Sequence, residues 1–164
     1  LGDYEADLDA AVERWNRRRK VPGSFTRTPP PPGLESSRHT PKRSGELRVG
    51  TVTSVLDAWA WIGRPSSLPP RCLGGSPRTY GGNSTAIYLN DALVADLPAA
   101  QRRLILQHEL GHALGLGHVP SKCRRAPAVM VQGTAKWACG WPGTSPWRDD
   151  RRGVRALYRG ERRG

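Results

Sequence analysis

Three of the four histidines in this chain fall within eleven residues, at a spacing that suits one metal ion. On a helix, with about 100° per residue, His108 and His112 lie one turn apart on the same face. Glu109 points to the side of that face, where its carboxylate can hold a water beside the ion. Gly115 can adopt a positive φ and turn the chain, so that His118 returns as a third ligand. Three protein ligands leave a fourth position for water, which is the pattern of a catalytic zinc site.

The alternative interpretation of this segment is a helix with two solvated or core histidines and no metal. The extended motif, with the glycine and the third histidine, is expected by chance in roughly 0.001% of chains of this composition. The spacing therefore favours a metal site.

The segment from His108 to His118 matches the pattern HExxHxxGxxH, and the chain therefore resembles the metzincin zinc endopeptidases. Metzincins also have a methionine turn downstream of this motif, under the metal. The one methionine of this chain, Met130, follows His118 by twelve residues. The segment 146–158 is similar to the last helix of the matrixins.

Features of two metzincin subfamilies are mixed in this chain. The pair Cys123 and Cys139 resembles the small secreted metzincins of snapalysin type, which usually have aspartate as the third ligand. Here the third ligand is His118, as in matrixins. Matrixins usually have serine after that histidine, where this chain has Val119. The resemblance thus indicates the clan and leaves the subfamily open.

The resemblance implies an α+β, metzincin-like zincin fold. Its parts are a twisted mixed sheet, a back helix, an active-site helix, and a small irregular lower subdomain that ends in a helix. We expect a single catalytic domain over 1–164, with an upper subdomain over 1–118 and a lower one over 119–164.

The activity that the resemblance implies is that of a secreted zinc-dependent endopeptidase. One catalytic Zn²⁺ is expected on His108, His112 and His118, with Glu109 as the base that takes a proton from water. The substrate is expected to be an extended polypeptide bound in the cleft. The sequence leaves open whether a structural Ca²⁺ is also bound.

Two alternatives to an endopeptidase are a non-proteolytic, zinc-containing binding module and a zinc amidase that acts on another polymer. A binding module would be expected to lack a ligand or the base, and neither is missing here. The extended spacing disfavours the amidase. A casein digest with and without phenanthroline separates both alternatives from proteolysis.

Three cysteines predict one disulfide and one remaining thiol. A bond between Cys123 and Cys139 would close a loop of about 15 residues around Met130 and stabilise the fold by ~3 kcal/mol. Such a bond predicts an oxidising, extracellular location. Cys72 is then free or pairs outside this chain, and three reduced, buried thiols are the alternative.

The formal charge of +12 comes mostly from short arginine clusters, at 17–20, 124–125 and 148–163. Because no nucleic-acid-binding motif accompanies them, we expect a solvated basic surface on a monomer, not a nucleic-acid interface. No apolar run approaches the ~18 residues of a membrane span, so no membrane partner is expected. The chain starts at Leu1 without an initiator methionine, which is typical of a mature or trimmed form.

Hydrophobic periodicity predicts the positions of the first helix and the strands. An amphipathic helix is predicted over 3–20, capped by Asp3 and preceded by no strand. Strands are predicted over 46–55, 57–62 and 84–90. The core-facing stripe of the helix consists of Tyr4, Leu8, Ala11, Val12 and Trp15.

Two segments rich in proline and glycine, 21–45 and 63–82, are predicted to be loops, the first mobile and partly polyproline-like. His39 lies in the first of them, is expected to be solvated, and is not assigned to the site. The strand over 84–90 precedes the ligand helix and resembles the metzincin edge strand, which binds substrate antiparallel. An ordinary interior strand is the alternative, since sequence does not reveal which strand is the edge.

The ligand helix is predicted over 96–114, with Asp96 and Pro98 at its start. Its early polar residues, Gln101, Arg102 and Arg103, are expected to be exposed. Its apolar residues cover nearly all its faces, which predicts burial: Leu104, Ile105, Leu106, Leu110, Ala113 and Leu114. Gly111 inside this helix costs ~1 kcal/mol relative to alanine, which indicates a close contact there.

The region 119–147 is predicted to be irregular. Its tryptophans, Trp137, Trp141 and Trp147, are expected to form a small core, with a place lining the cleft as the alternative. A final helix is predicted from Ser145 and Pro146 to Tyr158, with Gly160 as its stop. Val154, Leu157 and Tyr158 are expected to face inward.

Overall fold

A computed structural model describes residues 4–17, 25–28, 37–41, 47–53, 58–63, 85–119, 128–131 and 148–157. In these ranges the protein is α+β. The helices are α1 (Glu5–Asn16), α2 (Asp91–Val94), α3 (Ala99–Ala113) and α4 (Arg148–Leu157). The strands are β1 (Phe25–Thr28), β2 (Ser37–Pro41), β3 (Leu47–Val52), β4 (Ala60–Gly63) and β5 (Thr85–Asn90).

The strands form one mixed sheet in the order β1-β2-β3-β5-β4. β3 and β5 are parallel, whereas the other neighbouring pairs are antiparallel. Val49 of β3 lies opposite Ile87 of β5, and both are fully buried, as is Leu89 two residues further along β5. Because side chains alternate along a strand, this register places the apolar residues of both central strands on one face.

Helix α1 packs against α3, which carries the predicted ligands. The predicted apolar stripe of α1 is confirmed, since all five of its members are buried: Tyr4, Leu8, Ala11, Val12 and Trp15. Trp15 also donates a hydrogen bond from Nε1 to the carbonyl of Gln107, at 3.0 Å. Buried Asp7 accepts from Arg102 and Arg103 at 2.6 and 2.7 Å. The back helix therefore holds the ligand helix through apolar packing, one hydrogen bond and two ion pairs.

The predictions for the three strands over 46–55, 57–62 and 84–90 are confirmed to within a few residues by β3, β4 and β5. The loop prediction over 21–45 is wrong where β1 and β2 form. These strands have four and five residues, too short for a clear alternation, and prolines lie close to both. They form because they pair with each other in the antiparallel register Phe25 to Pro41. His39 lies in β2, opposite Leu47 of β3.

The edge-strand prediction for 84–90 is also wrong. β5 lies between β3 and β4, so within the described ranges the sheet ends at β1 on one side and β4 on the other. The second partner of β5 comes from earlier in the chain, a pairing that periodicity does not encode. The amide of Asn90 also donates to the carbonyl of Trp59 at 2.9 Å, just before β4.

The ligand helix starts later than predicted. Pro98 is its N-cap, and Asp96 lies in the turn between α2 and α3. Arg102 and Arg103 are half-buried by their ion pairs with Asp7, not exposed. In α4, Val154 is buried as predicted, whereas Leu157 is 40% exposed and does not face inward.

Several predictions concern residues outside the described ranges. They are the cap at Asp3, the predicted loop over 63–82 apart from Gly63, all three cysteines (Cys72, Cys123 and Cys139), the tryptophans Trp137, Trp141 and Trp147, and the end of the last helix at Tyr158 and Gly160. Among the described helices, none has the length and apolar character needed to cross a membrane.

Candidate metal centre

The chain reverses its direction directly after α3 ends. The amide of Gly115 donates to the carbonyl of His112 at 2.8 Å, and the amide of Leu116 donates to that of Gly111 at 3.0 Å. These are the two hydrogen bonds of a Schellman motif. This motif requires a residue in the left-handed conformation directly after the C-cap of the helix. Gly115 takes that conformation with φ of 92°, as predicted. The turn brings His118 back toward the helix.

The three predicted ligands meet at their Nε2 atoms. The Nε2 of His108 lies 3.1 Å from that of His112 and 3.1 Å from that of His118. The third pair, His112 and His118, is also separated by 3.1 Å. His108 and His112 are buried, whereas His118 is exposed, so the group lies where the interior meets solvent.

Hydrogen bonds fix the tautomers of the two buried rings. The Nδ1 of His108 lies 2.8 Å from the carbonyl oxygen of Val129, and the Nδ1 of His112 lies 2.7 Å from that of Leu116. A carbonyl oxygen only accepts, so each Nδ1 carries the hydrogen, and in a neutral ring Nε2 keeps its lone pair. Two Nε2 lone pairs then face each other at 3.1 Å, which is repulsive unless a cation lies between them.

A zinc-sized ion fits this triangle. With sides of 3.1 Å, its corners lie about 1.8 Å from its centre (3.1/√3). The usual Zn–N distance of about 2.0–2.1 Å is slightly longer than this, so all three nitrogens would reach one ion. Neutral imidazoles with the second nitrogen bonded to a carbonyl are the usual donors of such sites. The three histidines can therefore hold a metal ion, and imidazoles alone also suit copper, iron and nickel.

The segment 128–131 packs under the ligand helix. Met130 is 1% exposed and lies so close to Gly111 that a Cβ at that glycine would overlap its Sδ. The same Cβ would lie 3.3 Å from Cζ2 of Trp15, so the predicted close packing at Gly111 is confirmed. The amide of Val119 donates to the carbonyl of Met130 at 3.0 Å, next to His118. Met130 thus lies beneath the helix as apolar packing.

Glu109 follows the first ligand on α3 and is 5% exposed. A carboxylate that follows the first predicted ligand along the helix can act as an acceptor for a proton from water. Three further groups at the site were not predicted from the sequence: the carbonyls of Leu116 and Val129, and the carboxylate of Asp150, which binds the amide of Val129. In the sequence, Met130 indicated that the segment around it lies near the site. Which backbone carbonyls face the histidines can be seen only in the folded structure.

Comparison with known proteins adds no relative to this description. Searches against protein-family models, curated proteins and solved structures found no match. The function is therefore inferred from the geometry of the three histidines and the residues around them.

Proposed function

We propose that the protein is a zinc-dependent endopeptidase with a metzincin-like fold. The observation that carries the proposal is the triangle of Nε2 atoms, two of them with their lone pairs directed to its centre. Three imidazoles with one open position are the ligand set of hydrolytic zinc, whereas structural zinc sites are closed by four protein ligands. The mixed sheet, the back helix α1 and the order of α3, methionine segment and α4 support the fold.

When bound, zinc supplies Lewis acidity toward a carbonyl oxygen and lowers the pKa of a coordinated water to roughly 7. The chain supplies the rest of the chemistry. The carboxylate of Glu109 accepts the proton of the attacking water and then passes it to the leaving amine. Because Glu109 is 5% exposed, its carboxylate is largely screened from bulk water. The carbonyls of Val129 and Leu116 keep the rings of His108 and His112 in the ligating tautomer.

The substrate in this proposal is an extended polypeptide that pairs with β4. Within the described sheet, β4 is the edge strand that packs against the ligand helix α3, and it pairs with β5 on its other side. An edge strand offers unpaired backbone groups to an added strand, which gives affinity for a peptide of many sequences. This role moves from 84–90, where the sequence placed it, to Ala60–Gly63.

The experiment that tests the proposal is a casein digest by the zinc-loaded protein, with and without phenanthroline. We expect cleavage that the chelator abolishes and that added Zn²⁺ restores. A protein that binds zinc tightly and cleaves no peptide bond would instead be a binding module. Release of amino groups from a peptidoglycan polymer, without any from casein, would identify an amidase.

Glu109→Ala tests the role of the base in the same assay. We expect zinc to remain at one ion per chain and cleavage to fall by about 10²–10⁴-fold, the usual contribution of a general base. Gln101→Ala on the same helix serves as the control and should retain activity. Chelator-sensitive cleavage near the wild-type rate in Glu109→Ala would reject the role.

We also propose a secreted monomer with a disulfide between Cys123 and Cys139, on the basis of the sequence alone. Alkylation of the unfolded protein should label one cysteine before reduction and three after it. Labelling of three before reduction would reject the disulfide.

A further inference from the structure

A buried carboxylate on the last helix contacts the segment that supports the ligands. Asp150 of α4 is 3% exposed. Its Oδ2 accepts a hydrogen bond from the amide of Val129 at 2.9 Å, and its Oδ1 accepts one from the amide of Met130 at 3.4 Å. Burying a carboxylate is costly unless strong hydrogen bonds compensate, so these contacts fix the segment 128–131 against α4.

That segment contacts the metal ligands through its carbonyls. Val129 accepts from Nδ1 of His108 at 2.8 Å, and Met130 accepts from the amide of Val119, the neighbour of His118, at 3.0 Å. The two residues whose amides bind Asp150 are therefore the two whose carbonyls contact the ligand region. Two of the three proposed ligands therefore contact a segment that the carboxylate of Asp150 helps to hold.

The remaining ligand is held differently. His112 donates from Nδ1 to the carbonyl of Leu116 at 2.7 Å, within the turn that ends its own helix. No residue of 128–131 or α4 takes part in that hydrogen bond. His112 thus provides an internal reference for an effect that passes from Asp150 through the segment 128–131.

We infer that Asp150 is a positioning residue for the metal centre: through the backbone of Val129 and Met130 it orients His108 and fixes the approach of His118. The inference rests on the proposed metal centre and deepens it. This positioning role is distinct from a contribution of Asp150 to folding stability. A change at Asp150 should alter the ligating rings selectively, with His108 affected and His112 not.

The test compares Asp150→Asn with Val154→Ala. The asparagine keeps the shape but replaces one acceptor oxygen with an NH₂ group, which cannot accept from an amide. Val154→Ala removes buried apolar volume one turn further along the same helix, so it destabilises the fold while leaving the Asp150 carboxylate and its two acceptor oxygens in place. Unfolding in urea measures the stability of both variants, and competition with a chromophoric chelator measures their Zn²⁺ affinity.

We expect the zinc affinity of Asp150→Asn to fall by about 10-fold, at the lower end of the effect seen for residues that orient metal ligands. The zinc affinity of Val154→Ala should change by less than about 2-fold. NMR of the zinc-loaded proteins supplies the selective readout. In Asp150→Asn, the Nδ1 proton of His108 should shift and exchange faster with solvent, while that of His112 stays as in wild type. In Val154→Ala, both should stay.

Equal shifts at both rings, or unchanged rings and affinity in Asp150→Asn, would overturn the positioning role while leaving the proposed zinc site intact. A wild-type protein that binds no zinc would overturn both. If Asp150→Asn does not fold, Asp150→Glu takes its place, since it keeps the charge and displaces the oxygens by one carbon–carbon bond. The same ring-selective result is then required.

Discussion

The two buried histidines of the candidate metal centre are supported by different parts of the molecule. His112 bonds to Leu116, four residues away, inside the turn that ends α3. His108 bonds to Val129, 21 residues away, in a segment that Asp150 holds from α4. One support is therefore local and the other is tertiary. The orientation of His112 is therefore encoded within eleven consecutive residues, whereas that of His108 depends on the packing of distant ones.

The largest effect is expected from removing His118, which follows the turn after α3 and whose neighbour Val119 bonds to Met130. His118→Ala leaves two imidazoles, and we expect zinc to be lost during dialysis against buffer that leaves wild type loaded. Metal analysis of the dialysed proteins measures this. Retention of one zinc per chain in the variant would mean that the three Nε2 atoms do not share one ion.

The local support is tested at Gly115. Its φ of 92° is unfavourable for a residue with a Cβ, so Gly115→Ala should destabilise the fold by about 1–2 kcal/mol in urea unfolding. Zinc affinity should fall as well, and the NMR change should appear at His112, the ring bonded within this turn. Gly117→Ala is the control, since its added Cβ meets no atom within 4 Å. A change confined to His108 would contradict the separation of the two supports.

The contact between the two supports is tested at Gly111. An alanine there would overlap Sδ of Met130 and crowd Trp15, so we expect a loss of about 1–2 kcal/mol, overpacking being partly offset by the higher helix propensity of alanine. The same urea experiment measures it. A more stable Gly111→Ala would show that Met130 moves aside at no cost, and that the segment 128–131 is not pressed against α3.

The smallest effect is expected far from both supports. Glu13 and Arg17 form an exposed ion pair at 3.1 Å on α1, with side chains 62% exposed. Exposed pairs of this kind contribute little, so Glu13→Ala should change stability by less than about 0.5 kcal/mol and leave zinc affinity unchanged. A larger effect on affinity would show that the rings respond to general destabilisation.

The convergence of His108, His112 and His118 could be predicted because their spacing and their turn are local. A helical repeat of 3.6 residues sets the relation of His108 to His112, and the need for a left-handed residue identifies Gly115. The tertiary support could not be predicted, because backbone amides and carbonyls look alike in every sequence. Asp150 is one of fourteen acidic residues and lies beside another, Asp149, which is exposed.

The sheet shows the same limit. β3, β4 and β5 were predicted from their own alternation of apolar residues. The strands β1 and β2 were missed because they are short and form by pairing with other segments, β1 with β2 and β2 with β3. The edge was misplaced because strand order depends on pairing between segments, and β4 reaches the edge only by adding to the far side of β5.

X-ray absorption spectroscopy of the protein loaded with one equivalent of Zn²⁺ tests the central claim most directly. We predict three imidazole nitrogens and one oxygen donor from water, at distances near 2.0–2.1 Å. A zinc shell with sulfur donors, or with fewer than three imidazoles, would contradict the assignment of His108, His112 and His118 as the ligands.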